Sequence, residues 1–234
     1  MRQTLNIIYN ILIAFIAAIL TLTIAFYHPS SSNTVTTNDK LLISGLFISS
    51  CIFGLSVAIR PGWFRRLIKH GNQESKEKKS KKTKLNFKGH HPDCKGFRSH
   101  RVVIKSKTLC AGCLGLSIGS ILSILLIIFY NFLNIKQSST ILFIPLIIGL
   151  IIIFLSYVEI TLPIRNSIVH VVSNIFLVFS FLILTVSIFE ITGNKIYGVL
   201  MIILSFLWLD TRIHLSNWQH NRICKNCPKT CKSY

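Results

Sequence analysis

Long apolar runs separated by short polar stretches dominate this chain, and their length decides its class. A helix needs about 20 predominantly apolar residues to cross a bilayer core of roughly 30 Å. Six stretches read as spans: residues 5–27, 41–59, 109–133, 141–158, 168–189 and 196–209, the last of them short. Backbone N–H and C=O groups find no water in hydrocarbon, so such spans are helical. The pattern therefore predicts an all-α integral membrane protein with about six transmembrane helices. The first run follows Arg2 and imitates a signal peptide. Its apolar stretch is too long for a signal-peptide core, however, and no clear A-x-A site follows it. It reads as a retained helix. Arg60-Pro61-Gly62 closes the second span, because proline and glycine both punctuate helices.

Composition agrees. Of 234 residues, 51% are hydrophobic and only 14% charged, with a mean hydropathy of +0.57. Soluble domains carry about 25% charged residues, and disordered chains carry far fewer apolar ones. Charge then sets an orientation. The chain has 26 Lys+Arg against 7 Asp+Glu, a formal net of +19, and residues 60–108 alone hold sixteen basic and three acidic side chains. A basic block between apolar spans points to a cytoplasmic loop and to anionic headgroups, at roughly 1 kcal/mol per basic residue near the surface. Nucleic acid is not implied. Lys40, Lys136 and Lys195 are single lysines in the connections on the other side. Both termini are thus expected in the cytoplasm of a multi-pass cell-membrane protein.

The organisation that follows is a two-helix hairpin at 1–59 and a basic cytoplasmic loop at 60–108. A four-helix region at 109–209 and a Cys-rich cytoplasmic tail at 210–234 complete it. Within the loop, Trp63, Phe64, Leu67 and Ile68 alternate with Arg65, Arg66 and Lys69 at helical spacing. This suits either an interfacial helix or a cationic stop-transfer flank. Residues 71–88 read as a solvated linker.

Seven cysteines are present. Cys51, alone inside the second span, behaves as a small apolar residue. The other six form two groups, each with a C-x-x-C, on the side where thiols stay reduced and metal ligation is favoured over disulfides. In the first, His91 and Cys94 form one pair at ligand spacing, Cys110 and Cys113 another, and His90 and His100 are substitutes. Zinc takes four N or S ligands in a tetrahedron, which two such pairs supply. In the second, His220, Cys224, Cys227 and Cys231 fall within 12 residues, enough for a four-ligand knuckle. Local spacing favours two separate zinc sites over one shared site, with an iron–sulfur cluster as the rival cofactor.

Past the first C-x-x-C, the residues Ala111, Gly115, Gly119 and Ser123 recur every four positions. Such a stripe lets helix backbones approach closely in a membrane, either within the chain or toward a protein partner. The stretch from Cys94 through Phe97-Arg98-Ser99 to Cys110-Ala111-Gly112-Cys113-Leu114-Gly115 resembles an uncharacterised family of small prokaryotic membrane proteins, a domain of unknown function. That family carries a C-A-x-C-x-G sequence entering a transmembrane helix. Its commoner form differs from the H-H-P-D-C found here. The resemblance covers about 30 residues and implies no activity.

Glu159, Arg165, His170, Asp210, Arg212 and His214 fall near the cytoplasmic ends of spans, where headgroup-level charge accounts for most of them. Glu159 or Asp210 is placed to pair with Arg165 or Arg212, and Glu190 reads as solvated. The expected function is a membrane-embedded, zinc-binding module for binding or assembly. A membrane iron–sulfur redox protein and a metal-dependent membrane enzyme are the alternatives. No nucleophile elbow, P-loop or dinucleotide fingerprint is present.

Overall fold

The structure is a computed structural model that describes residues 2–27, 35–59, 100–104, 107–132, 139–162 and 166–225. It contains α1 (Arg2–Tyr27), α2 (Thr37–Ile59), β1 (Arg101–Ile104), β2 (Lys107–Cys110), α3 (Ala111–Phe132), α4 (Ser139–Thr161), α5 (Ser167–Thr192) and α6 (Lys195–Lys225). All six helices are long and apolar enough to span a membrane. The chain is an all-α, multi-pass membrane protein carrying one small β-hairpin.

Helices α5 and α6 form the centre. More than half of α5 is buried, against 22% to 28% of α1 to α4. Around α5 stand α1, α3, α4 and α6, while α2 reaches α3 and α6. The outer helices keep side chains such as Phe15, Phe129 and Phe154 exposed, as lipid-facing surfaces require. The core joins Leu177, Phe181, Leu184 and Ile188 of α5 to Met201 and Trp208 of α6, with Ile127, Leu146 and Ile153 closing over them. Several polar atoms within this core are hydrogen-bonded to backbone carbonyls. Trp208 Nε1 donates to the Ala14 carbonyl at 3.1 Å, Tyr157 donates its hydroxyl to the Trp208 carbonyl at 2.9 Å, and Thr185 bonds back to Phe181.

Local chemistry sets the ends of the central pair. Asn166 caps α5 by accepting from the Ile168 N–H at 2.9 Å. Gly193 closes it at φ 60°, a left-handed conformation that glycine enters without steric cost, so α6 starts two residues later. The small-residue stripe of α3 meets α5: a Cβ at Gly115 would lie 2.7 Å from Asn174 Cβ, and one at Gly119 would lie 3.1 Å from Ile175 Cα. Ser123 and Ala111 are buried on the same face.

Two features differ from the sequence pattern. The sixth helix is 31 residues long and runs to Lys225, so residues 210–225, assigned above to the tail, continue it. A hydropathy window stops at Asp210 and Arg212, but a helix does not when its charges find partners. The hairpin is the other difference. β1 and β2 pair antiparallel from Arg101↔Cys110 to Ile104↔Lys107, and the signal for it was the β-branched run Val102-Val103-Ile104. The apolar–basic segment 63–69 and the linker 71–88 lie outside the described residues.

Candidate functional site

One end of the bundle gathers the start of α3, the end of α4, the start of α5, the last turns of α6 and the hairpin. A small cleft of about 50 Å³ lies between them. Each lining residue is placed by its own element. The hairpin register sets Cys110 opposite Arg101, which brings His100 and Cys110 to the same end of the ladder. Cys113 follows three residues later in the first turn of α3, with its thiol near that of Cys110. His170 and Asn174 stand four apart on α5, hence on one face. Arg212, Ser216 and His220 repeat every four residues along α6 and share the face turned toward the cleft. The His100 ring stacks on His170 with centroids 4.4 Å apart and meets His220 edge-on at 5.1 Å.

Beneath this cleft runs a buried polar network. Glu159 at the end of α4 is 8% exposed, His170 6% and Arg212 7%. Glu159 contacts His170 Nδ1 through one carboxylate oxygen and accepts from Arg212 Nη2 at 3.2 Å through the other. Arg212 Nη1 donates to Asn174 Oδ1, and Nη2 also reaches Ser173 Oγ at 3.3 Å. Asn174 in turn donates to the His170 carbonyl. Three helices are thereby tied through one carboxylate and one guanidinium. A charge this deep is tolerable only when paired and hydrogen-bonded. His170 Nε2 has no hydrogen-bond partner among the described residues, although an unmet buried polar atom costs about 1–3 kcal/mol.

Of the sequence-predicted site residues, Cys110 and His220 line the cleft, and Cys113 lies next to it in the first turn of α3. These come from both cysteine groups, which lie more than a hundred residues apart. The backbone of Cys224 belongs to α6. The Cys224 side chain, and His91, Cys94, Cys227 and Cys231 entirely, lie outside the described residues. Among the described residues, no three His, Cys, Asp or Glu side chains form a ready-made cage for an ion.

The role of the charged residues changes. Glu159 does pair with Arg212, but as a buried network member rather than at headgroup level. Asp210 pairs instead with His214 at 3.5 Å on an exposed face, and Arg165 lies outside the described residues. Glu190, expected to be solvated, accepts from the Tyr130 hydroxyl, and Lys40 lies 4.0 Å over the Tyr130 ring. Ser173 and Asn174 were missed, although their spacing from His170 placed all three near one helix end. No protein family, no curated protein and no solved structure matches this chain.

Proposed function

We propose that this membrane protein holds zinc in the cleft at the cytoplasmic end of its bundle and works as a structural binding or assembly module. The observation that carries this reading is the meeting of Cys110 and His220 on one cleft, ligand-type residues from the two separate cysteine groups. A thiol pair at C-x-x-C spacing entering a packed helix gives two soft donors on a rigid base. Local spacing alone favours two independent zinc sites; the common cleft favours one centre shared by hairpin and tail. The basic charge of residues 60–108 supports attraction of this end to anionic headgroups.

Zinc analysis of purified protein tests the reading. Cys110→Ser and Cys224→Ser are each expected to remove the same metal, with the double variant losing no more than either alone. Independent losses that add would restore two separate sites. A brown, iron-containing protein would favour the redox alternative. Absence of any metal after reducing, chelator-free purification would remove both readings.

Sidedness has its own measurement. Once bound metal is stripped with chelator, a membrane-impermeant thiol reagent is expected to label Cys94 and Cys224 in inverted vesicles and to leave both untouched in intact cells. Labelling from outside would reverse the orientation, and with it the argument that the thiols stay reduced.

A further inference from the structure

One group in the cleft has no part in the reading above. His170 is not one of the zinc ligands that the sequence spacing suggests, yet it is buried and lines the cleft beside Cys110 and His220. Its Nδ1 faces the Glu159 carboxylate, which accepts only if Nδ1 carries the proton. The lone pair of the neutral ring then sits on Nε2, the atom with no hydrogen-bond partner among the described residues. We propose that His170, held in this tautomer by Glu159, is a further ligand in the cleft, binding a divalent cation of the zinc class through Nε2. The proposal rests on the metal reading of this cleft.

The chemistry has a well-defined logic. A histidine that binds a metal commonly donates its other ring N–H to a carboxylate, which fixes the ring and raises the basicity of the ligating nitrogen. Glu159 meets that requirement, and Arg212 with its hydrogen bonds to Asn174 and Ser173 holds the carboxylate from the far side. A purely structural network accounts for the pairing of Glu159, Arg212 and Asn174. Nε2 of His170 stays outside it, beside a cleft containing a thiol and two more imidazoles.

Ring spacing is informative as well. With zinc–nitrogen bonds of about 2.0–2.1 Å, two imidazoles on one tetrahedral ion have centroids about 5 Å apart. His100 and His220 are 5.1 Å apart and edge-on. His100 and His170 are closer, at 4.4 Å, and nearly parallel. Binding through His170 therefore requires His100 to swing off its face, which accords with the absence of a ready-made cage among the described residues.

The test uses full-length protein in detergent, with Co²⁺ as a spectroscopic substitute for zinc. His170→Gln leaves the Glu159–Arg212 pair in place. It is expected to weaken Co²⁺ binding by at least tenfold and to shift the ligand-field bands. Glu159→Gln is expected to weaken binding by about 10–100-fold while leaving those bands in place, as an orienting residue should. Should the His170 variant fail to fold, zinc-edge X-ray absorption of the unaltered protein counts its imidazole ligands, with two or more expected and fewer overturning the proposal. Unchanged affinity and bands in His170→Gln, alongside loss of binding in Cys110→Ser, would remove His170 and leave the metal reading intact. Failure of the unaltered protein to bind either Co²⁺ or Zn²⁺ would overturn both.

Discussion

Arg212→Met is expected to destabilise the folded protein by about 3–5 kcal/mol, the range for removing one partner of a buried ion pair. Arg212 is 7% exposed and supplies hydrogen bonds to Glu159, Asn174 and Ser173 at once. Its loss leaves the Glu159 carboxylate buried without a guanidinium partner, facing His170 and Ser173. The cost comes less from the lost attraction than from stranding the surviving charge. A double variant, Glu159→Gln with Arg212→Met, should therefore recover much of the stability, because it strands no charge. Thermal unfolding in detergent, followed by helical circular dichroism across the four members of the cycle, measures the coupling. Additive losses would show that the two side chains do not meet as described.

Gly115→Ala carries the second large effect, although it adds a single methyl group. The new Cβ would lie 2.7 Å from Asn174 Cβ and 3.1 Å from the Val171 carbonyl carbon, so backbone as well as side chain must move. Overpacking of this kind typically costs about 1–3 kcal/mol, and Gly115→Leu is expected to exceed that and to reduce yield. Gly119→Ala meets its neighbours at 3.1–3.2 Å and should be milder. Gly54→Ala, with nothing within 4 Å of the added carbon, is the control: its stability should be unchanged or slightly raised by better helix propensity. Under the proposed metal reading, Co²⁺ affinity gives a second readout. Pushing α5 away at Gly115 displaces Asn174, the partner of Arg212, and separates His170 from the thiols that open α3. Equal behaviour of the Gly115 and Gly54 variants would mean that the stripe is not a packing surface.

The two experiments probe different depths of legibility. The glycine stripe was readable from its four-residue spacing, because small residues at that period have one main use in a membrane helix. What faced the stripe was not readable: nothing in the pattern of α3 selects α5 over another neighbour. The pairing of Glu159 with Arg212 was one of several combinations open in sequence, with Asp210 and Arg165 as competitors. Helical phase separated them only once the packing of α4 against α5 and α6 was known. Asp210 lies two residues from Arg212, about half a turn away, and so faces outward toward His214.

The sequence by itself determined the six apolar spans found among the described residues, the basic composition of residues 60–108, the C-x-x-C spacings and the small-residue face of α3, because each depends on residues within a few turns of one another. Even there it cut α6 short at Asp210 and Arg212, since hydropathy prices a charge without knowing its partner. Tertiary structure alone decided that Arg212 is neutralised inside the bundle, that His170 is buried with its Nδ1 on a carboxylate, and that Cys110 and His220 share a cleft. Those facts depend on distances between helices far apart in the chain. Such distances follow from how closely each helix pair can pack, here from the missing side chain at Gly115 that lets Asn174 and its helix come to rest against α3.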